Sequence, residues 1–164
     1  MKRAFILLSV ICYLLTACND SSIGVIGGAD GPTSITVSNE GDKWGLTLRA
    51  ENVTKTGMTI IFEQFGGNHS GRLEYGAAYT LETTVNNEWQ EVKTKTGKPL
   101  NWTLVGYSIK MNDITEMKID WSNSYGELSP GLYRLKKDIM DFRIAGDYDT
   151  KTYEVYFTIE EKKK

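Results

Sequence analysis

Cys18 is the residue whose chemistry stands out first. It closes the run Leu15-Thr16-Ala17-Cys18, after an apolar stretch from Ala4 to Leu15 that the basic pair Lys2 and Arg3 precedes. That stretch is too short to span a bilayer, which needs ~20 apolar residues, and has the length of a secretory signal core. Small residues ahead of a cysteine are what a lipobox presents to its signal peptidase, and a thiolate is the group through which a diacylglyceryl lipid is attached. The run reads as cleavage after Ala17 and lipidation of Cys18. Two or three acyl chains hold a protein on a membrane stably where one does not. The expected location is therefore exported and lipid-anchored, on the outer face of the cytoplasmic membrane. The competing reading is an ordinary signal cut near Ala17, with Cys18 a bystander.

Other side chains offer less. Cys12 leaves with the signal, so no cysteine remains for a disulfide, a thiolate nucleophile or a metal site. His69 is the single histidine and sits in the loop-like run Gly66-Gly67-Asn68-His69-Ser70-Gly71. A Ser-His-Asp hydrolase needs an oriented nucleophile beside that base; Ser70 is adjacent in sequence only, and a solvated loop histidine is expected. Calcium needs only oxygen ligands, and Asp147 and Asp149 with Asp141 are its best candidates, although aspartate is also what turns are made of. Glu82, Glu88 and Glu91 gather near a hairpin, but nothing marks two of them as a pair flanking a scissile bond. A non-catalytic protein without a resident cofactor is the expectation. Aromatic residues are plentiful, with four Trp and nine Tyr. Trp102 and Tyr125 fall off the core parity, in loops, and are the candidate ligand-binding residues at one end of the domain.

The elements that must position these residues are strands. Beyond the signal no stretch shows a helical stripe, and apolar residues recur at every second position. Trp44, Leu46, Leu48 and Ala50 share one face, and Met58, Ile60 and Phe62 continue it after the Lys55-Thr56-Gly57 turn. Tyr79, Leu81, Thr83 and Val85 follow, and Asn86-Asn87 turns the chain into Trp89 and Val92. Val105, Tyr107 and Ile109 come next, then Met117, Ile119 and Trp121, then Tyr133 and Leu135, and last Tyr153, Val155, Phe157 and Ile159. Seven or eight short strands with one apolar face each must bury it against a second sheet, which predicts an all-β antiparallel sandwich. Leu128-Ser129-Pro130-Gly131-Leu132-Tyr133 has the form of a tyrosine corner, with Tyr133 bonding back to upstream backbone. Trp89 is the candidate buried indole, with Tyr79 or Leu81 as alternatives for that place. The organisation is a signal over 1–17, Cys18 and a flexible Gly/Ser/Asp-rich tether over 18–42, a sandwich domain over 43–160 and a charged tail over 161–164.

The chain has 164 residues, with 19 Lys and Arg against 21 Asp and Glu, a formal charge of −2. Losing Lys2 and Arg3 with the signal makes it more acidic still. That argues against a nucleic-acid partner and against electrostatic docking on anionic lipid.

Two resemblances accompany these patterns. The tether run from Ile23 through Gly27-Gly28-Ala29-Asp30-Gly31-Pro32 to Ile35 closely resembles a segment of the beta subunit of sodium-pumping carboxylate decarboxylases, where the residue matching Asp30 lies in the sodium path. Without a surrounding helix bundle Asp30 has no dry site for an ion, and a turn-forming tether is the reading kept here. Residues 44–160 resemble the bacterial Ig-like domains of Gram-positive surface lipoproteins. The matching pieces include Leu46–Thr54 with Gly57–Phe62, Tyr75–Glu82, Trp89–Val92 and Pro130–Leu135. The resemblance implies an immunoglobulin-like sandwich and an exported location, and it brings no catalytic residues. The expected role is a binding or adhesion module at the cell surface, meeting a cell-wall glycan or an envelope protein. The alternatives are a structural spacer or partner in an envelope complex, and an inhibitor or immunity-type lipoprotein.

Overall fold

The computed structural model describes residues 23–26, 34–37 and 42–161, and every regular element among them is a strand. Two short strands, β1 (Ile23–Ile26) and β2 (Ser34–Val37), pair within the stretch read as tether, and β2 continues onto β11 through Ile35 and Tyr156. The domain proper holds β3 (Leu46–Thr54), β4 (Gly57–Gln64), β5 (Arg72–Tyr75), β6 (Thr80–Val85), β7 (Glu88–Glu91), β8 (Tyr107–Ser108), β9 (Asp113–Asp120), β10 (Gly131–Ile144) and β11 (Asp147–Ile159).

These strands form two antiparallel sheets. One is the three-stranded array β3-β4-β9. The other is built on the long β10–β11 hairpin, paired without interruption from Gly131 and Ile159 to Phe142 and Tyr148. The opposite edge of β10 takes β5 along its C-terminal half and β6, followed by β7, along its N-terminal half. The all-β sandwich expected from the alternation is the observed fold, with nine strands in the domain rather than seven or eight. The strand that alternation missed is β5, whose four residues are too few to show a period.

Local chemistry explains the turns. Val85 pairs with Glu88, leaving Asn86-Asn87 as a two-residue loop, and both asparagines take positive φ, 52° and 65°. A type I′ hairpin demands that, and asparagine tolerates it better than most residues. Gly146, at φ 83°, supplies the single positive φ in the turn between β10 and β11.

The core lies between the sheets. Leu46, Leu48, Ile60 and Phe62 from the small sheet face Leu81, Leu135, Val155 and Phe157 from the large one, all buried. Phe157 stacks between Tyr133 (5.5 Å) and Trp121 (5.7 Å). The Tyr133 hydroxyl donates to the Ser129 carbonyl, four residues upstream, at 2.8 Å. Gln64 points inward as well, and its amide is fully used: Nε2 donates to the Trp44 and Gly66 carbonyls, while Oε1 accepts from the Asn112 amide. A buried amide so satisfied fixes loop positions without a desolvation debt.

The fully buried indole is that of Trp121, not Trp89. The hairpin register sets Trp89 opposite Thr84 and on the same outer face as Glu82. There its ring lies 4.5 Å from the Arg134 guanidinium and edge-on to Tyr156 at 5.7 Å, a cation–π arrangement on the sheet surface.

Candidate functional site

The outer face of the large sheet carries a defect that creates a pocket. Along one edge of β10, Lys136 pairs with Thr80 of β6 and Ile139 pairs with Tyr75 of β5. Lys137 and Asp138 have no partner on that edge, because the connection Gly76–Tyr79 swings away there. Four residues stand opposite two, and the ladder opens. The gap is a pocket of about 290 Å³ lined by Ala78, Tyr79 and Thr80 on one side, Lys136 and Asp138 on the other, with Thr152 of β11 and Trp102 completing it.

Trp102 reaches the gap from the long connection between β7 and β8. That connection is tied down: the Lys95 amide donates to the Ser124 carbonyl at 2.8 Å, and the Thr94 hydroxyl donates to the Lys98 carbonyl. The half-buried Trp102 ring packs against Tyr79 at 4.8 Å. Tyr79 in turn meets Tyr125 at 6.5 Å. The structure therefore brings the two sequence candidates, Trp102 and Tyr125, into one aromatic group through Tyr79. Only Trp102 lines the pocket. Tyr125 and Tyr79 both pack against the core, and the pocket lies on the sheet face rather than at an end of the sandwich. Burial, joined by the nearby charges of Tyr125 and Asp120, pushes the Tyr79 hydroxyl well above its ordinary pKa, so it stays a neutral hydrogen-bonding group.

Polar groups ring the aromatic wall. The Asp138 carboxylate accepts from the Thr152 hydroxyl at 2.5 Å, and Lys136 donates to Glu82 at 2.9 Å. Glu82 also pairs with Arg134, which reaches Glu154 at 3.1 Å. Burial alone would raise the Glu82 carboxyl's pKa, but the bonds from Lys136 and Arg134 outweigh it and hold it below the usual range. Of the three glutamates gathered near the hairpin, Glu82 is thus committed to ion pairs. The recess is open to solvent and mostly polar, with the Trp102 and Tyr79 rings as its aromatic part.

Beneath the gap lies a residue that the sequence reading passed over. Lys137 is 1 % exposed and sits on the core face between Leu135 and Ile139. Its ammonium donates to the carbonyls of Gly76 and Ala78, the latter at 2.6 Å, and lies 5.5 Å from the Tyr75 ring. The alternation Tyr133, Leu135, Lys137, Ile139, Asp141 was there to be read, and it places both Lys137 and Asp141 inward.

The carboxylates proposed for calcium have other partners. Asp141 is buried and accepts from the Ser70 amide (2.7 Å), the Ser70 hydroxyl (2.8 Å) and the Gly71 amide (2.5 Å). Arg143 bonds Asp147 at 2.6 Å and Asp149 at 3.0 Å, and approaches Asp141 at 3.9 Å. A guanidinium thus stands where a cation would have to bind, and among the described residues no group of three or more His, Cys, Asp or Glu could hold a metal ion. His69 is half-buried, with Nδ1 against the Gly71 carbonyl at 2.8 Å. It engages neither Ser70 nor Asp141, so these three do not form a base–nucleophile relay. The lipidation run Leu15–Cys18 and Asp30 lie outside the described residues.

The sequence profile described as bacterial Ig-like domain matches residues 40–163. No curated protein and no solved structure matches the chain significantly.

Proposed function

Since this chain belongs to the bacterial Ig-like domain family, a family of surface-type binding and structural modules, we propose that it is a non-catalytic binding module that takes a cell-wall glycan into the pocket at the break in the large sheet. The observation that carries this reading is the pocket itself: the aromatic rings of Trp102 and Tyr79 share it with the polar side chains of Thr80, Lys136, Asp138 and Thr152. A sugar ring offers a flat C–H face to the indole and hydroxyls to the polar rim. Anchoring through lipid on Cys18 would hold the module beside its wall target. No helix among the described residues is long and apolar enough to cross a membrane.

The test is co-sedimentation of the purified chain with cell-wall sacculi. Saturable binding is expected, and Trp102→Ala should weaken it about tenfold or more, because a central Trp anchor carries roughly 2 kcal/mol or more. Equal binding by the variant would remove the pocket from the reading. Cell fractionation tests the anchor: Cys18→Ala should leave the membrane fraction or accumulate as an uncleaved precursor, and unchanged processing and attachment would refute lipidation.

A protein partner in the envelope is the second reading. It is favoured by the exposed apolar side chains Leu104, Val105, Tyr107 and Met111, which lie in the connection before β8, on β8 and in the turn after it. Wild-type chain that ignores sacculi but is retained by one envelope protein would favour this reading.

A further inference from the structure

We propose that Lys137 is a positioning residue for the pocket: its buried ammonium, bonded to the carbonyls of Gly76 and Ala78, holds the connection Gly76–Tyr79 in the shape that sets Tyr79 against Trp102. The inference rests on the pocket being the binding site, but its structural half is testable without any ligand.

The geometry leads to this role in three steps. The connection is the segment of the large sheet that lacks ladder partners on β10, so cross-strand hydrogen bonds do not fix its path. Buried carbonyls without partners are costly, and Gly76 and Ala78 turn theirs to the interior, where the Lys137 amine meets both. Tyr79 and Thr80, the next residues along, form one wall of the pocket. The ammonium on the core side of the sheet therefore determines the shape of the recess on its outer side.

A lysine at this place is expensive. Its neighbours along the face are Leu135 and Ile139, and the β11 residue opposite is Tyr153, whose hydroxyl is committed to Asp42. Tyr75 of β5 offers only its ring face. The Asp138 side chain points to the other side of the sheet, and its negative charge counters the desolvation without outweighing it. No ion-pair partner reaches the Lys137 amine among the described residues, and its bonds are to backbone carbonyls. Desolvation pushes its pKa down to about 8. Holding a desolvated amine for two loop carbonyls is explained if the loop's shape is what the fold needs.

The experiment is NMR on the full chain in detergent, paired with sacculus binding, for wild type and Lys137→Met. The expected result is loss of the ring-to-ring NOEs between Tyr79 and Trp102, with the β10–β11 cross-strand NOEs retained and sacculus binding weakened roughly tenfold. Unchanged Tyr79–Trp102 NOEs in a folded variant overturn the proposal. If wild type fails to bind sacculi while the NOE result holds, it is the glycan reading that falls and not the clamp. Should Lys137→Met not fold, wild type alone decides. The charged amine is the stronger donor, so raising the pH from 7 to 10 should weaken the Tyr79–Trp102 NOEs, and wild-type sacculus binding should weaken through pH 8. Tyr79–Trp102 NOEs as strong at pH 10 as at pH 7 overturn the proposal.

Discussion

Replacing Trp121 with alanine should cost about 3–5 kcal/mol of stability, the range for truncating a fully buried aromatic. That is a large fraction of the roughly 5–15 kcal/mol that holds a domain folded. The side chain has no exposed surface, and its ring stacks on Phe157, which stacks on Tyr133. Its removal leaves a void at the end of that aromatic column. The indole also donates to the Lys55 carbonyl at 2.8 Å, and the Leu128 amide donates to the same oxygen. Together with the bond from the Trp121 amide to the Thr56 carbonyl, this ties the β3–β4 turn to the loop after β9. Alanine loses the ring and the tie together. Urea unfolding followed by circular dichroism measures the loss, and a cost below about 1 kcal/mol would mean that the site collapses around the smaller residue.

Asp141→Asn should be the second most damaging change, at about 3 kcal/mol. Three donors, two from Ser70 and one from Gly71, converge on the carboxylate. An amide nitrogen in place of one oxygen turns a donor against a donor, and each buried group left unpaired costs roughly 1–3 kcal/mol. The change also removes an acid-sensitive contribution. Burial by itself would raise the Asp141 carboxyl's pKa, but the Ser70 and Gly71 hydrogen bonds, with the Arg143 charge, hold it below the ordinary carboxylate value. As pH falls, the unfolded chain takes up this proton before the folded one does. The contribution is therefore complete above the ordinary carboxylate pKa and is lost as pH falls through the depressed folded value. Unfolding midpoints from pH 7 down into the acid range should drop more steeply in wild type than in Asp141→Asn. Parallel curves would show that the Ser70–Gly71 cradle does not favour the charged form.

The fold was legible because its long strands obey the two-residue period in plain view. Leu46, Leu48 and Ala50 on β3, and Tyr153, Val155, Phe157 and Ile159 on β11, are all buried and all on one parity. Asn86-Asn87 announced its hairpin because few other residue pairs suit two successive positive φ values. The site was less legible. Trp102 and Tyr125 stood out as aromatic residues off the core parity, but the residue that joins them, Tyr79, was read into a strand that begins one residue later. The pocket exists because β5 and β6 share one edge of β10 and leave a gap between them, and such a mismatch is a property of pairing rather than of any local run. Trp89 was misplaced for a related reason. The face it occupies follows from the register of the β6–β7 hairpin, and a one-residue change in register moves every side chain to the other face. The calcium expectation rested on three aspartates, and the arginine between them in sequence, Arg143, already supplies the positive charge.

The proposed function turns on whether ligand enters the break in the large sheet at Trp102. Titrating the ¹⁵N-labelled chain with solubilised peptidoglycan fragments, and following indole and amide resonances, tests this directly. Saturable shifts are predicted for the Trp102 indole and for the amides of Thr80, Asp138 and Thr152, while the indoles of Trp89 and Trp121 stay in place. Absence of shifts at saturating fragment, or shifts confined to the Leu104–Met111 side of the domain, would contradict it.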